Sequence, residues 1–126
     1  MLRCLIVDDS DRFLAVARTL LEPDGISVVA TASTGALALS LAAELRPDVT
    51  LVDIDLGGES GLKLAKRLAD QADGAPAPII LISMHSEEDY ADLIAASPAI
   101  GFLPKASLSA GAISGLLVSP RRSGSG

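Results

Sequence analysis

Five short apolar runs, each followed by a longer segment with helical spacing, constrain the fold of this chain most strongly. The runs cover residues 2–7, 26–30, 49–52, 79–82 and 101–103. Nearly continuous apolar runs of this length are typical of strands buried on both faces of a parallel sheet. Their alternation with helices predicts an α/β domain with helices on both faces of one five-stranded sheet. Right-handed crossovers favour the doubly wound strand order 2-1-3-4-5.

The segments between these runs carry apolar residues at helical spacing. The predicted helices cover residues 11–21, 34–45, 62–69, 87–96 and 109–117. Ser86 is expected to cap the fourth of them, because acidic residues that suit a helix N-terminus follow it directly. The glycine-rich residues 57–61 predict a flexible loop, and residues 73–78 predict a linker. The pattern indicates one domain over residues 1–118, followed by a flexible polar tail at 119–126.

Composition excludes several classes of protein. The 126-residue chain has a formal net charge of −6, a poor basis for binding a phosphate backbone, and Arg121 and Arg122 are too few to indicate nucleic-acid contact. Cys4 is the single cysteine, so no disulfide framework can form within the chain. No apolar stretch approaches the roughly 18 residues of a membrane span. We therefore expect a soluble cytoplasmic protein that contacts neither membranes nor nucleic acid.

Polar residues follow four of the five apolar runs. Asp8 and Asp9 follow the first run, Asp53 the third, Ser83 the fourth, and Lys105 lies just beyond the fifth. Each alone has an ordinary interpretation as a helix cap, a turn residue or a surface lysine. The carboxyl ends of parallel strands meet at one edge of the sheet, where ligands bind between strands one and three of this order. We therefore expect these side chains to converge there.

Three clustered carboxylates indicate a cation site. Like charges raise one another's pKa, and a divalent cation relieves their repulsion. Oxygen ligands without His or Cys favour a hard ion, and carboxylates together with a phosphate suit Mg²⁺. Such a site would let an aspartate attack an anionic phosphoryl donor, with Lys105 and Ser83 holding phosphoryl oxygens. The expected product is an aspartyl phosphate.

Four segments resemble the receiver domains of two-component response regulators. They read LIVDDS (5–10), VTLVDIDL (49–56), IILIS (79–83) and GFLPKAS (101–107), and the resemblance extends over about residues 2–117. It implies the flavodoxin-like receiver fold. It also implies that Asp53 accepts a phosphoryl group from a phosphohistidine on a sensor histidine kinase or a histidine phosphotransfer protein.

The resemblance further implies a role for each residue of the metal site. Asp9 and Asp53 would ligate Mg²⁺ directly, Asp8 would act mainly through metal-bound water, and Asp55 would contribute its backbone carbonyl.

The same resemblance implies a phosphorylation switch. Ser83 and Lys105 would hold the phosphoryl oxygens, and Phe102, three residues before the lysine, matches the switch aromatic of the family. Repacking of Ser83 and Phe102 would alter the surface of the fourth helix, fifth strand and fifth helix. That surface would then bind an output domain or a partner, or form a homodimer.

Three alternatives stay open at this point. Asp53-Ile54-Asp55 also resembles the nucleophile motif of haloacid-dehalogenase-type phosphatases, which are longer and carry the motif on their first strand. A flavin-binding protein of the same fold is disfavoured by the single Tyr and the absence of Trp. A receiver-like module that only binds partners is disfavoured by the intact acid set. The favoured interpretation is a signalling domain that catalyses only its own phosphorylation and dephosphorylation.

Overall fold

Five parallel strands form the central sheet of this protein. In the computed structural model, which describes residues 1–72 and 76–119, the strands are β1 (Leu2–Val7), β2 (Ile26–Ala32), β3 (Val49–Asp53), β4 (Ile79–Ser83) and β5 (Gly101–Pro104). Their spatial order is β2-β1-β3-β4-β5, and all four neighbouring pairs are parallel. The predicted doubly wound order 2-1-3-4-5 is confirmed.

Five α-helices connect or follow the strands in the part of the chain that the structure describes. They are α1 (Asp11–Leu21), α2 (Gly35–Leu45), α3 (Gly61–Gln71), α4 (Ala91–Ala95) and α5 (Ala110–Val118). Four of them begin at a Ser or Thr whose side-chain oxygen accepts a backbone N–H of the first turn: Ser10, Thr34, Ser60 and Ser109. This is the usual way to satisfy the free amides at a helix start.

The core lies in two layers, one on each face of the sheet. Successive strand residues point to opposite faces, so Cys4 and Ile6 pack against α1 and α5, whereas Leu5 and Val7 pack against α2, α3 and α4. Both layers consist almost entirely of aliphatic side chains. Burial on both faces explains why the strands read as continuous apolar runs rather than as alternating patterns.

Two element bounds differ from prediction in informative ways. The second strand continues to Ala32 rather than ending at residue 30, because Thr31 and Ala32 pair with the last residues of β1 after an irregularity in register at Cys4 and Leu5. Residues 57–61 were predicted to form a flexible loop. Instead, Asp55–Leu56 pairs with Glu59–Ser60 as a two-residue antiparallel hairpin, and Gly61 begins α3.

The predicted fourth helix is shorter and less regular than expected. Residues Glu87–Tyr90 form a 3₁₀ turn, and only Ala91–Ala95 is α-helical. The predicted cap at Ser86 is wrong, because its side chain makes no cap hydrogen bond and its hydroxyl instead donates to Asp89 Oδ2 at 3.3 Å. Of the linker predicted at 73–78, residues 76–78 have no regular structure, and 73–75 lie outside the described residues.

The tail predicted at 119–126 lies outside the described residues beyond Ser119. Within residues 1–72 and 76–119, no helix combines the length and the apolar character needed to cross a membrane.

Gly61 allows α3 to begin directly against the end of β3. Its N–H donates to the Ile54 carbonyl at 2.8 Å. A Cβ at this position would lie 2.7 Å from the Asp53 carbonyl carbon and 2.8 Å from Ile54 Cα. We predict that Gly61→Ala lowers the free energy of unfolding by about 1–3 kcal/mol, because the backbone must move to relieve the overlap.

The matched control is Gly115→Ala in α5, where nothing lies within 4 Å of the added Cβ. Alanine there should raise stability by about 0.5–1 kcal/mol through its better helix propensity. Urea unfolding of both variants checks the pair. Equal effects at the two positions would contradict the packing argument.

Candidate functional site

The carboxyl edge of the sheet brings three aspartates together. Val7 and Val52 are register partners, so Asp8 and Asp53 follow them on adjacent strands at the same level. One carboxylate oxygen from each of Asp8, Asp9 and Asp53 lies within 4.8 Å of the other two. The sheet register therefore places the acids predicted from sequence in one cluster, at the position where this strand order reverses.

Lys105 reaches into this cluster from the end of β5. Its Nζ lies 2.6 Å from Asp8 Oδ2 and 3.2 Å from Asp53 Oδ2. Burial alone would lower the pKa of the ammonium group, but the contacts with Asp8 and Asp53 outweigh it and raise the pKa above its ordinary value. Lys105 is therefore protonated at neutral pH and balances part of the negative charge.

Asp8 is the most deeply buried member of the cluster. The residue is fully inaccessible, and its Oδ1 accepts the Ser10 N–H at 2.8 Å. Its Oδ2 accepts no hydrogen bond of standard geometry from the described residues and is balanced there by the Lys105 ammonium. The ion pair with Lys105 is therefore the contact that compensates the burial of this oxygen.

Asp53 is buried at the end of β3. Its Oδ1 accepts the backbone N–H of Asp55 at 3.1 Å. Burial raises the pKa of its carboxyl to about 6, and the charge of Asp8 adds to this effect, whereas the Asp55 amide and Lys105 oppose it. The carboxylate is thus ionised at neutral pH but more basic than an exposed aspartate, a property that suits a nucleophile.

Ser83 and Phe102 lie in the two neighbouring strands, β4 and β5. Ser83 ends β4 one residue beyond Ile82, the register partner of Asp53, and its buried Oγ accepts the His85 N–H at 3.0 Å. Phe102 is 1% exposed and belongs to the core layer beneath α2, α3 and α4. Both predicted switch residues are therefore already buried in this structure.

The hairpin after β3 contributes features that the sequence analysis missed. Gly57 and Gly58 have positive φ values of 56° and 108° at its two-residue turn. A Cβ at Gly57 would lie 2.5 Å from Asp9 Oδ2, so glycine lets the hairpin approach the acid cluster closely. Glu59 accepts the Gly35 N–H through both oxygens at 3.2 and 3.3 Å, which fastens the hairpin to the start of α2.

A sequence signal for this hairpin does exist. Gly-Gly between Leu56 and Glu59 is a favoured dipeptide for a two-residue hairpin turn, because both central residues need positive φ. The exposed Asp55 lies in this hairpin, so its backbone is held in a defined position beside Asp53. The link between Glu59 and α2 has no local sequence signal, since it joins residues far apart in the chain.

The donor set fits a hard divalent cation. Asp8, Asp9 and Asp53 supply oxygen ligands without His or Cys, which is the chemistry that Mg²⁺ selects. The charge of Lys105 balances only one of the three carboxylates. The convergence of three carboxylates within 4.8 Å, against the single positive charge of Lys105, is the structural evidence that a further cation can be accommodated here.

Fold and site together define a doubly wound α/β domain with an acidic, lysine-containing cluster at its strand-order reversal. The family model described as the response regulator receiver domain matches residues 4–112. The chain belongs to the response regulator receiver domain family, and its fold is the flavodoxin-like fold of that family.

Individual relatives agree with this assignment. The chain is 30% identical over 106 residues to the response regulator GacA of Pseudomonas viridiflava, covering 83% of this chain and 49% of that protein. The signal receiver domain of the response regulator NarL from Mycobacterium tuberculosis superposes with a TM-score of 0.82 at 29% identity, covering 94% of this chain and 97% of that one.

A third relative is a solved structure that contains a phosphorylated residue. It is a response regulator protein from Burkholderia pseudomallei with a phosphorylated aspartic acid, a calcium ion and citrate. It has a TM-score of 0.76 at 26% identity, covering 96% of this chain and 67% of that one. The chain spans between about a quarter and a half of the length of the first curated relatives it matches, which include protein-glutamate methylesterases.

The buried charge of Asp53 predicts a pH-dependent stability in metal-free buffer. Its folded pKa of about 6 exceeds the unfolded value, so the stability contributed by the protonated carboxyl is present below about pH 4 and lost as the pH rises through 6. At pH 7.5 we predict that Asp53→Asn is more stable than the wild type by up to about 3 kcal/mol.

Chemical denaturation in EDTA between pH 4 and pH 8 checks this prediction, with Asp55→Asn at the exposed neighbouring position as the control. The advantage of Asp53→Asn should shrink as the pH falls. An advantage that does not change with pH would show that the charge of Asp53 is not its cause.

Proposed function

We propose that this domain is a phosphoacceptor switch in which Asp53 takes a phosphoryl group in a Mg²⁺-dependent reaction. The observation that carries the proposal is the position of the Asp53 carboxylate, within 4.8 Å of the oxygens of Asp8 and Asp9 and 3.2 Å from Lys105 Nζ. This arrangement combines a nucleophile, a cation site and a fixed positive charge. Family membership and the Burkholderia relative with a phosphorylated aspartic acid support the same role.

Asp9, Asp53 and the backbone carbonyl of Asp55 would hold the Mg²⁺ directly, with Asp8 acting mainly through water. When bound, the cation reduces repulsion between the carboxylate and the anionic donor and stabilises charge on the transferring group.

The reaction itself uses groups of this chain. A carboxylate oxygen of Asp53 forms the bond to phosphorus as the bond from phosphorus to the donor breaks, leaving an aspartyl phosphate. Lys105 and Ser83, placed at the ends of neighbouring strands, would bind two of the phosphoryl oxygens.

Phosphorylation would change the surface formed by α4, β5 and α5. Phosphorylation replaces the single negative charge of the Asp53 carboxylate with a phosphoryl group that carries about two, which would draw the Ser83 hydroxyl and Lys105 toward it. Phe102 packs in the core layer that also includes Ile94 of α4, so movement near Ser83 would be transmitted to that surface. The altered surface would bind an output domain, a partner or a second copy of this chain.

We place the reaction in the cytoplasm, with a sensor histidine kinase or a histidine phosphotransfer protein as donor. Residues 1–118 would form the receiver domain, and this segment itself would not bind nucleic acid. The domain would be a signalling domain rather than an enzyme. We do not assign the methylesterase activity to this domain, because its alignment covers only 23% of the length of the first methylesterase relative.

Phosphorylation by acetyl phosphate tests the central proposal. Wild-type protein incubated with Mg²⁺ and acetyl phosphate should gain the mass of one phosphoryl group, and Asp53→Asn should gain none. Tandem mass spectrometry of the borohydride-reduced protein should place the modification at residue 53. Modification of another residue would overturn the assignment, and repeated turnover of a small phosphate ester would instead favour a phosphatase.

Cation binding provides a separate prediction. Mg²⁺ should stabilise the wild type by about 1.4 kcal/mol at a free concentration roughly ten times its Kd, because it binds only the folded site. Asp9→Asn should lose most of this stabilisation, whereas Asp11→Asn, an exposed acid in the first turn of α1, should retain it. Thermal unfolding with and without Mg²⁺ measures both. Equal stabilisation of the two variants would exclude Asp9 as a ligand.

A further inference from the structure

An aromatic ring lies against the lysine of the acid cluster. Lys105 Nζ lies 4.5 Å from the centroid of the Phe13 ring. Phe13 belongs to α1, which begins just after Asp8 and Asp9 and is capped by Ser10, whose hydroxyl oxygen accepts the Phe13 N–H at 3.2 Å. The helix start that follows the metal-site acids thus also fixes the backbone of the aromatic residue.

The ring and the two carboxylates act on different parts of the ammonium group. Asp8 and Asp53 form ion pairs with the ammonium group through their carboxylate oxygens, whereas the Phe13 ring attracts the ammonium group through the negative face of its π-system. Phenylalanine has no hydrogen-bond acceptor, so it leaves the three N–H donors of Lys105 available to carboxylate or phosphoryl oxygens. A lysine has a flexible four-carbon side chain, and contact with the ring restricts where its charge can lie.

We infer that Phe13 is a positioning residue that holds the Lys105 ammonium over the phosphoryl site through a cation–π contact. This inference rests on the proposed function at Asp53. Phosphorylation would give the Lys105 ammonium a phosphoryl oxygen as a new partner. While its contacts change, the ring keeps the ammonium group in place without competing for its donors.

The competing explanation is that Phe13 only fills space, since it also packs against the core layer formed with α1 and α5. Three variants separate the two roles. Phe13→Leu removes the ring and keeps an apolar side chain, and Phe13→Tyr restores a ring. Leu2→Ala removes a different partly buried side chain, at the start of β1, that packs on the same core layer.

The first measurement is the rate of phosphorylation of the full chain by acetyl phosphate in saturating Mg²⁺. For Phe13→Leu we expect the rate at saturating acetyl phosphate to fall roughly three- to tenfold, as loss of a partly desolvated cation–π contact predicts. Its half-saturating Mg²⁺ concentration should remain that of the wild type. Phe13→Tyr should recover the rate, and Leu2→Ala should keep it despite a loss of stability.

The second measurement is independent of phosphorylation. The Lys105 side-chain methylene protons next to Nζ should show upfield-shifted NMR resonances in the wild type and in Phe13→Tyr, because they lie near a ring face. The shift should disappear in Phe13→Leu. If Phe13→Leu does not fold, Phe13→Met replaces it as an unbranched apolar side chain without a ring.

The outcomes distinguish this inference from the proposed function. A wild type that is phosphorylated at Asp53, together with an unchanged rate in Phe13→Leu, would overturn the positioning role and leave the proposed function intact. Absence of the ring-dependent NMR shift would also overturn it. A wild type that takes no phosphoryl group would overturn both. Slow phosphorylation in Phe13→Leu with recovery in Phe13→Tyr would support it.

Discussion

The balance of charge at the carboxyl edge of the sheet is the constraint on which this structure depends. Asp8 and Asp53 are buried beside each other, and two carboxylates in such surroundings repel strongly unless a positive group lies between them. Lys105 provides that group through contacts of 2.6 and 3.2 Å. Because it comes from β5, whereas the acids follow β1 and β3, the charge balance exists only when the whole sheet is assembled.

Backbone register fixes the acids more firmly than any side-chain contact. The central strands are buried on both faces. If one strand shifted by one residue relative to its neighbours, its aliphatic side chains would point into the opposite core layer. The same register puts Asp8 level with Asp53, and Ser83 one position beyond the partner of Asp53. The packing of the core therefore also determines the geometry of the site.

Most of the fold could be predicted because each strand is a short, continuous apolar run in the sequence. The runs that end at Asp8, Asp53 and Ser83 predict where the strands lie, and the polar residues at their ends predict where the site lies. The fourth helix could not be predicted as well. Its only anchors in the described core are Ile94 and the partly buried Tyr90, while Glu88, Asp89 and Asp92 are exposed. With so little apolar surface to bury, tertiary packing gives the segment a 3₁₀ turn and a short helix.

Contacts between distant elements were invisible in the sequence. Phe13 reads as an ordinary apolar position of α1, and Glu59 reads as a polar loop residue. Only the folded chain brings Phe13 to Lys105 and Glu59 to the start of α2. The Gly57-Gly58 turn is a different case, since its signal was local and was interpreted as flexibility rather than as a hairpin. A dipeptide that permits positive φ is compatible with both, and the pairing of Leu56 with Glu59 decides between them.

These contacts divide the site into a rigid part and an adjustable part. Asp53 is held by strand pairing and by the Asp55 amide, so the position of the nucleophile is determined by the backbone. Lys105 reaches the site through a long side chain that contacts two carboxylates and a ring, and none of these partners defines its position alone. A phosphoryl group on Asp53 would require side chains such as Lys105 to redistribute their contacts, without breaking the sheet. An assembly of this kind can gain about one unit of negative charge while the fold that holds the acids together persists.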